Sequence, residues 1–294
     1  MEKQKARLLA CDHFHVIFTI AHELHQLWWL NTRLLIEILF QSATDTLLEL
    51  LQDKRHLGAT PGVMMSLHTW GRTLSFHPHV HCLVTGGGLT PPGEWRAVKN
   101  GYLLPVAVVR IIFRGKFLAA ICKAHEQGRL IVPEGMTPQK VKNLLNQLGR
   151  KKWNVCIRER YSHGSGVITY LARYVRGGPI SNRRLSDGDD KEVKFRYQDH
   201  RDGKSKLMTL SSEEFVQRVL WHVPEKGMQV IRHYGLYGRC GQELRDKCRA
   251  QFGDPHHGFA RIYCDACGHD YLLVNGSRAP RLHGGMGLAK DFLR

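Results

Sequence analysis

The sequence predicts an α+β fold, an antiparallel sheet with helices on one face. Three observations lead to it. Residues His13 to Ile20 alternate, with Phe14, Val16, Phe18 and Ile20 on one side, the period of a half-buried strand. Leu24 to Gln52 carries leucine, isoleucine and tryptophan at helical spacing, enough for one long helix or two, with an apolar stripe that reads as core. Val63 to Trp70 and Val80 to Thr85 read as neighbouring strands joined by a short polar connection containing Gly71.

The remaining elements follow in order. Pro61-Gly62 is a turn signal before the second strand, and Gly86-Gly87-Gly88 with Pro91-Pro92-Gly93 reads as loop after the third. No Gly-Lys-Ser/Thr follows the glycine run, so it does not form a phosphate loop. Val106 to His125 and Thr137 to Leu148 are helical packing elements, the second with Thr137 as N-cap. Trp153 to Tyr161 is strand-like, and a helical stretch from Val167 to Val175 ends at Gly177-Gly178-Pro179. Val193 to Tyr197 and Lys206 to Leu210 flank Asp202-Gly203 as a hairpin, and Ser212 to Trp221 is a helix opened by a serine cap and acids.

With 294 residues and 43% apolar content, the chain can bury a substantial core. Its 43 basic residues against 26 acids leave a formal charge of +17, which favours a polyanionic partner, DNA or RNA first. The charge is concentrated. Between Arg150 and Arg184 stand nine basic residues and one acid, Glu159. Lys151, Lys152, Arg173, Arg176, Arg183 and Arg184 of this stretch are the candidate DNA contacts, since Lys and Arg neutralise phosphates. The eight cysteines are scattered, which fits a reduced, intracellular protein better than a disulfide scaffold. No signal peptide and no run of about 18 apolar residues is present, so the expectation is a soluble protein in the cytoplasm, nucleoid-associated and without a membrane partner.

His77-Pro78-His79-Val80-His81 holds alternate histidines that project from one face of an extended segment. His79 and His81 supply two metal ligands. The third is His68, on the preceding strand and able to face the pair across a hairpin, with His77 as the alternative. Mg²⁺ or Mn²⁺ is the expected ion if it must hold phosphate oxygens. Downstream, Tyr170 and Tyr174 lie four apart, which on a helix puts both phenols on one side, about 5–6 Å apart at Cβ. The other reading of the pair is two aromatics covering an apolar helix face. A tyrosine attacks poorly at neutral pH unless a cation lowers its pKa or takes up transition-state charge. Metal histidines, paired tyrosines and a basic setting together predict attack on a nucleic-acid phosphate through a 5′-phosphotyrosyl link, reversible by a free 3′-hydroxyl.

Six motifs occur in order: His13-Phe14-His15-Val16-Ile17-Phe18-Thr19, Leu67-His68-Thr69-Trp70-Gly71, His77-Pro78-His79-Val80-His81-Cys82, Tyr170-Leu171-Ala172-Arg173-Tyr174, Ile180-Ser181 and Arg232-His233-Tyr234-Gly235-Leu236-Tyr237. On these, over roughly residues 8 to 240, the chain resembles the rolling-circle transposases with two catalytic tyrosines. These belong to the superfamily of endonucleases named for a His-hydrophobic-His (HUH) motif. The resemblance implies a ferredoxin-like core whose central strands bear the metal histidines, faced by the tyrosine helix. It implies single-stranded DNA cleavage at transposon ends, with Tyr170 and Tyr174 used in successive transfers and Tyr170 first. Related relaxases carry a third histidine on the strand before the pair, which supports His68.

The implied organisation is a nuclease core over 8–185 with an insertion at about 89–150, then a C-terminal extension over 186–294. One departure stands out. Family members commonly begin with a cysteine-rich zinc-binding region, whereas only Cys11 precedes the first strand here. The expectation is a short form, a fragment of a decayed element, or a core that needs a separate DNA-recognition partner. Near the other end, Cys264 and Cys267 resemble half a zinc ribbon, a candidate structural Zn²⁺ site that Cys240, Cys248, His256, His257 or His269 would complete. The alternatives to a transposase are a plasmid relaxase or replication initiator, a decayed DNA-binding remnant, and an ordinary metallohydrolase without a covalent intermediate.

Overall fold

The computed structural model describes residues 7–161, 170, 174, 178–186, 191–199, 201–252, 259–263 and 270–274. Alternation sets strand β1 (His13–Thr19): Phe14, Val16 and Phe18 turn into the main core, while His13 and His15 turn to the opposite face. Two helices follow, α1 (His25–Leu30) and α2 (Thr32–Gln52). They are separate because Asn31 leaves helical geometry, and its side-chain amide donates to the carbonyls of Leu27 at 2.9 Å and Ile131 at 2.6 Å.

β2 (Thr60–Trp70) and β3 (Phe76–Leu89) pair antiparallel, with His68 opposite His79, Ser66 opposite His81 and Met64 opposite Leu83. Both strands run longer than their apolar alternation suggests. Pro61-Gly62 is a bulge within β2 rather than a turn. The run Gly86-Gly87-Gly88 is not loop: it continues β3 and pairs with β4 (Trp95–Ala97). Crowding is the reason. A Cβ at Gly87 would stand 2.6 Å from the Arg96 carbonyl oxygen, and one at Gly88 2.6 Å from that of Thr60.

α3 (Val106–Glu126) and α4 (Pro138–Arg150) join α2 on the Phe14 face of the sheet. Thr137 caps α4 by accepting from the Lys140 amide at 3.3 Å. Phe113 packs on Phe18 with ring centroids 4.6 Å apart, and it shares Trp153 with Phe117. The segment expected as an insertion over 89–150 therefore supplies part of the main core. β5 (Val155–Tyr161) pairs with the free side of β1.

β6 (Leu185–Ser186), β7 (Glu192–Gln198) and β8 (Ser205–Ser211) form a separate small sheet, with the β7–β8 turn taken by Gly203 at φ +68°. α5 (Ser212–Leu220) packs on it, capped by Ser211, whose hydroxyl accepts from the Glu214 amide at 3.1 Å. The chain then returns to the main sheet as β9 (Ile231–Gly235), giving the order β5-β1-β3-β2-β9. The boundary expected at 185 thus does not coincide with the edge of the sheet. β9 satisfies backbone groups on β2 that an edge strand would leave open. After it come α6 (Gln242–Phe252) and a hairpin of β10 (Phe259–Tyr263) and β11 (Asp270–Val274).

β1, the α1/α2 pair, β2, β3, the α3/α4 pair and β5 make the β-α-β-β-α-β unit of a ferredoxin-like α+β fold, with the helices of that unit on one face. The opposite face carries a second apolar cluster of Met64, Leu83, Tyr170, Tyr237, Cys248 and Phe252 beside the histidines. Among the described residues no helix is long and apolar enough to cross a membrane.

Candidate active site

Strand parity and register bring the histidines together. His15 of β1, His68 of β2, and His79 and His81 of β3 all turn away from the helical layer. Because His68 pairs with His79 across the ladder and His81 is two residues on, the three offer ring nitrogens within 4.8 Å of one another. His77 stays outside this trio, its ring centroid 5.2 Å from that of His79.

Hydrogen bonds to carbonyls fix two of the tautomers. His79 donates Nδ1–H to the His77 carbonyl at 2.6 Å, which leaves its lone pair on Nε2, 3.0 Å from Nε2 of His81. His68 donates Nε2–H to the backbone carbonyl of Tyr174 at 2.9 Å, leaving its lone pair on Nδ1. Burial brings His68 down to about 4 and His79 to about 3, and holds His81 well below its ordinary value. All three are therefore neutral near pH 7, the form that ligates a metal. Three neutral imidazoles that each bring a ring nitrogen within 4.8 Å of the others suit a divalent ion, so the donor set fits one.

The tyrosines are unequal. Tyr174 is half-buried and lines a cavity of about 860 Å³ together with His68, His79 and His81. Its ring centroid lies 4.2 Å from that of His81. Tyr170 is fully buried in the second apolar cluster, its centroid 5.1 Å from that of Tyr174. The Tyr170 hydroxyl has no hydrogen-bond partner among the described residues, and burial raises its pKa well above the usual phenol value. Both rings pack against His15, on the histidine side. The other residues of the helix expected over 167–175 lie outside the described residues, and the spacing alone cannot tell which ring reaches the cavity.

Of the expected DNA contacts, Arg173 and Arg176 lie outside the described residues, as do Cys264 and Cys267 of the zinc half-ribbon. Arg183 and Lys152 are exposed. Lys151 pairs with Glu23. Arg184 lines the cavity, but its guanidinium donates to the carbonyls of Arg196 at 2.9 Å and of Arg72, latching the small sheet to the β2–β3 connection. Cys248 packs in the apolar cluster, where burial raises its thiol to about 11.

Three residues of the site had no role assigned from the sequence. Arg72 and Arg201 line the cavity, Arg72 donating to the Gln198 carbonyl at 2.8 Å and Arg201 pairing with buried Asp199 at 2.8 Å. They lie in the two short connections, 71–75 and 199–204, rather than in the basic stretch. His15 stands behind the trio, its Nε2 2.8 Å from His81 Nδ1. Its signal was its parity: on β1 it alternates with Phe14 and Val16 and so faces where the strand is polar.

A family model described as "Putative transposase" matches residues 62–244. "Putative transposase y4qJ" of Sinorhizobium fredii (strain NBRC 101917 / NGR234) is 37% identical over 260 residues, 86% of this chain and 65% of that protein. "Transposase for insertion sequence element IS801" of Pseudomonas savastanoi pv. phaseolicola is 30% identical over 251 residues, 82% of this chain and 58% of that protein. The chain thus spans under two thirds of the length of these curated relatives. Among solved structures, TrwC complexed with a 27-mer DNA comprising the recognition hairpin and the cleavage site aligns over 80% of this chain and 71% of that chain. The identity is 12% and the TM-score 0.29.

Proposed function

The chain belongs to this transposase family, and on that premise we propose that it is a metal-dependent, tyrosine-nucleophile endonuclease and strand transferase acting on single-stranded DNA in rolling-circle transposition. One observation carries the reading. The Tyr174 ring touches His81, 4.2 Å between centroids, on the wall of the cavity that His68 and His79 also line.

A divalent ion on His68, His79 and His81 would polarise the scissile phosphate and take up charge from the departing 3′-oxygen. Three imidazole nitrogens favour Mn²⁺ over Mg²⁺, which prefers oxygen. The chain's own residues do the rest. The phenolic oxygen of Tyr174 attacks phosphorus, the bond to the 3′-oxygen breaks, and a 5′-phosphotyrosyl link forms while the phenol loses its proton and the 3′-oxygen gains one. Arg72 and Arg201 bring positive charge to the cavity that receives the phosphate backbone. The link conserves the energy of the broken bond, so a free 3′-hydroxyl can reverse it and join strands.

Cavity access supports the order of tyrosine use opposite to the one expected from the sequence. Tyr174 acts first because it lines the cavity, and Tyr170 serves the second transfer once its buried ring is released.

The test is an adduct assay on end-labelled single-stranded oligonucleotides, with and without Mn²⁺. The expected result is a metal-dependent covalent adduct that Tyr174→Phe abolishes and Tyr170→Phe retains while losing strand transfer. Adducts that survive loss of both tyrosines, or cleavage without any adduct, would sink the reading.

A further inference from the structure

His15 is fully buried on β1, with its Nε2 2.8 Å from His81 Nδ1 and no hydrogen-bond partner for its own Nδ1 among the described residues. Its ring also packs against both tyrosines, 4.7 Å from Tyr174 and 5.1 Å from Tyr170 between centroids. Two neutral arrangements fit these contacts. In one, His15 Nε2–H donates to His81 Nδ1, and His81 Nε2–H donates across 3.0 Å to His79 Nε2, which is bare because His79 carries its proton on Nδ1. His15 Nδ1 is then a lone pair. In the other, His81 Nδ1–H donates to His15 Nε2, and His15 carries an N–H at Nδ1. The bare Nε2 atoms of His79 and His81 then face each other at 3.0 Å, a repulsive contact unless a cation engages both.

We propose that His15 is a positioning residue that couples metal occupancy to the tyrosines: an ion on His81 Nε2 selects the second arrangement and leaves an Nδ1–H donor on His15 beside Tyr170 and Tyr174. This rests on the metal site proposed above. Protons balance without any change of charge. His81 loses one at Nε2 and gains one at Nδ1, and His15 loses one at Nε2 and gains one at Nδ1. Metal-bound histidines usually donate their outer N–H to a carboxylate, a carbonyl or water. Here the acceptor is a neutral ring, since burial brings His15 down to about 4. The ion's charge is thereby kept whole for an anionic substrate, and the proton shift is passed one ring further, to His15, whose ring packs against both tyrosines.

The experiment uses the full chain labelled with ¹⁵N-histidine, metal-free and loaded with Zn²⁺ as a diamagnetic probe, together with Mn²⁺ affinity by calorimetry. Zn²⁺ is expected to convert His15 Nδ1 from a bare to a protonated nitrogen. His15→Ala is expected to weaken Mn²⁺ binding by about 10- to 100-fold. His15→Gln, whose Oε1 accepts from His81 Nδ1–H, should recover most of that loss. An unchanged His15 tautomer on Zn²⁺ loading overturns the proposal. So does a folded His15→Gln variant that binds Mn²⁺ as weakly as His15→Ala. A wild-type chain that binds neither ion overturns the metal site itself, a result distinct from one that binds both with His15 unresponsive.

Discussion

His68 donates its Nε2–H to the backbone carbonyl of Tyr174 at 2.9 Å, so one hydrogen bond holds a candidate ligand on β2 against the candidate nucleophile. The bond gives the tyrosine a fixed place over the histidines. It also means that replacing His68 frees the backbone at 174, whereas Tyr174→Phe leaves the bond in place.

The first prediction separates the trio from its neighbour. His68→Ala, His79→Ala and His81→Ala should each weaken Mn²⁺ binding by at least about 10-fold, whereas His77→Ala should stay within about 2-fold. Calorimetric titration reads both. Equal losses at positions 77 and 79 would place the ion elsewhere.

The second concerns the core. Phe113 is fully buried between Phe18, Phe117 and Trp153, so Phe113→Ala should cost about 3–5 kcal/mol in urea unfolding. A loss below about 1 kcal/mol would show that α3 is a dispensable insertion after all.

The third tests the glycine strand. A Cβ at Gly87 would meet the Arg96 carbonyl oxygen and the Trp95 ring, both at 2.6 Å, so Gly87→Ala should destabilise by about 1–3 kcal/mol. Gly101→Ala supplies a contrast from backbone strain alone, since nothing lies within 4 Å of that position and its φ is +64°. Chemical denaturation of the two variants compares crowding with strain.

The fourth is the response to acid. Burial brings His15, His25 and His68 each down to about 4 from an ordinary value of 6.5. Between those values the unfolded chain binds protons that the folded chain refuses, so stability is full above about pH 6.5 and falls as pH falls toward 4. The urea midpoint should therefore drop well before carboxylates such as Asp53, held at about 2 by its Arg55 hydrogen bonds, begin to titrate. A midpoint that stays flat down to about pH 4.5 would contradict it.

Much of this arrangement was legible in the chain. Alternation set β1, β2 and β3, and the parity of His79 and His81 with a short connection back to His68 was enough to bring the three together. What stayed hidden depended on neighbours distant in sequence. The glycines at 86–88 read as loop because nothing local reveals that Trp95, Arg96 and Thr60 crowd them. β9 was missed because all five of its residues are half-buried, which erases the alternation that marks a strand. The inequality of Tyr170 and Tyr174 arises from a cluster assembled from β2, β3, α6 and residues 236–237, which helical spacing cannot encode.

The most direct measurement is peptide mapping of the covalent adduct by mass spectrometry after a single turnover with Mn²⁺ and a single-stranded oligonucleotide. The account predicts the nucleotide on Tyr174 through a 5′-phosphotyrosyl bond, absent when the ion is chelated. A first adduct on Tyr170, or on any residue other than these two tyrosines, would contradict it.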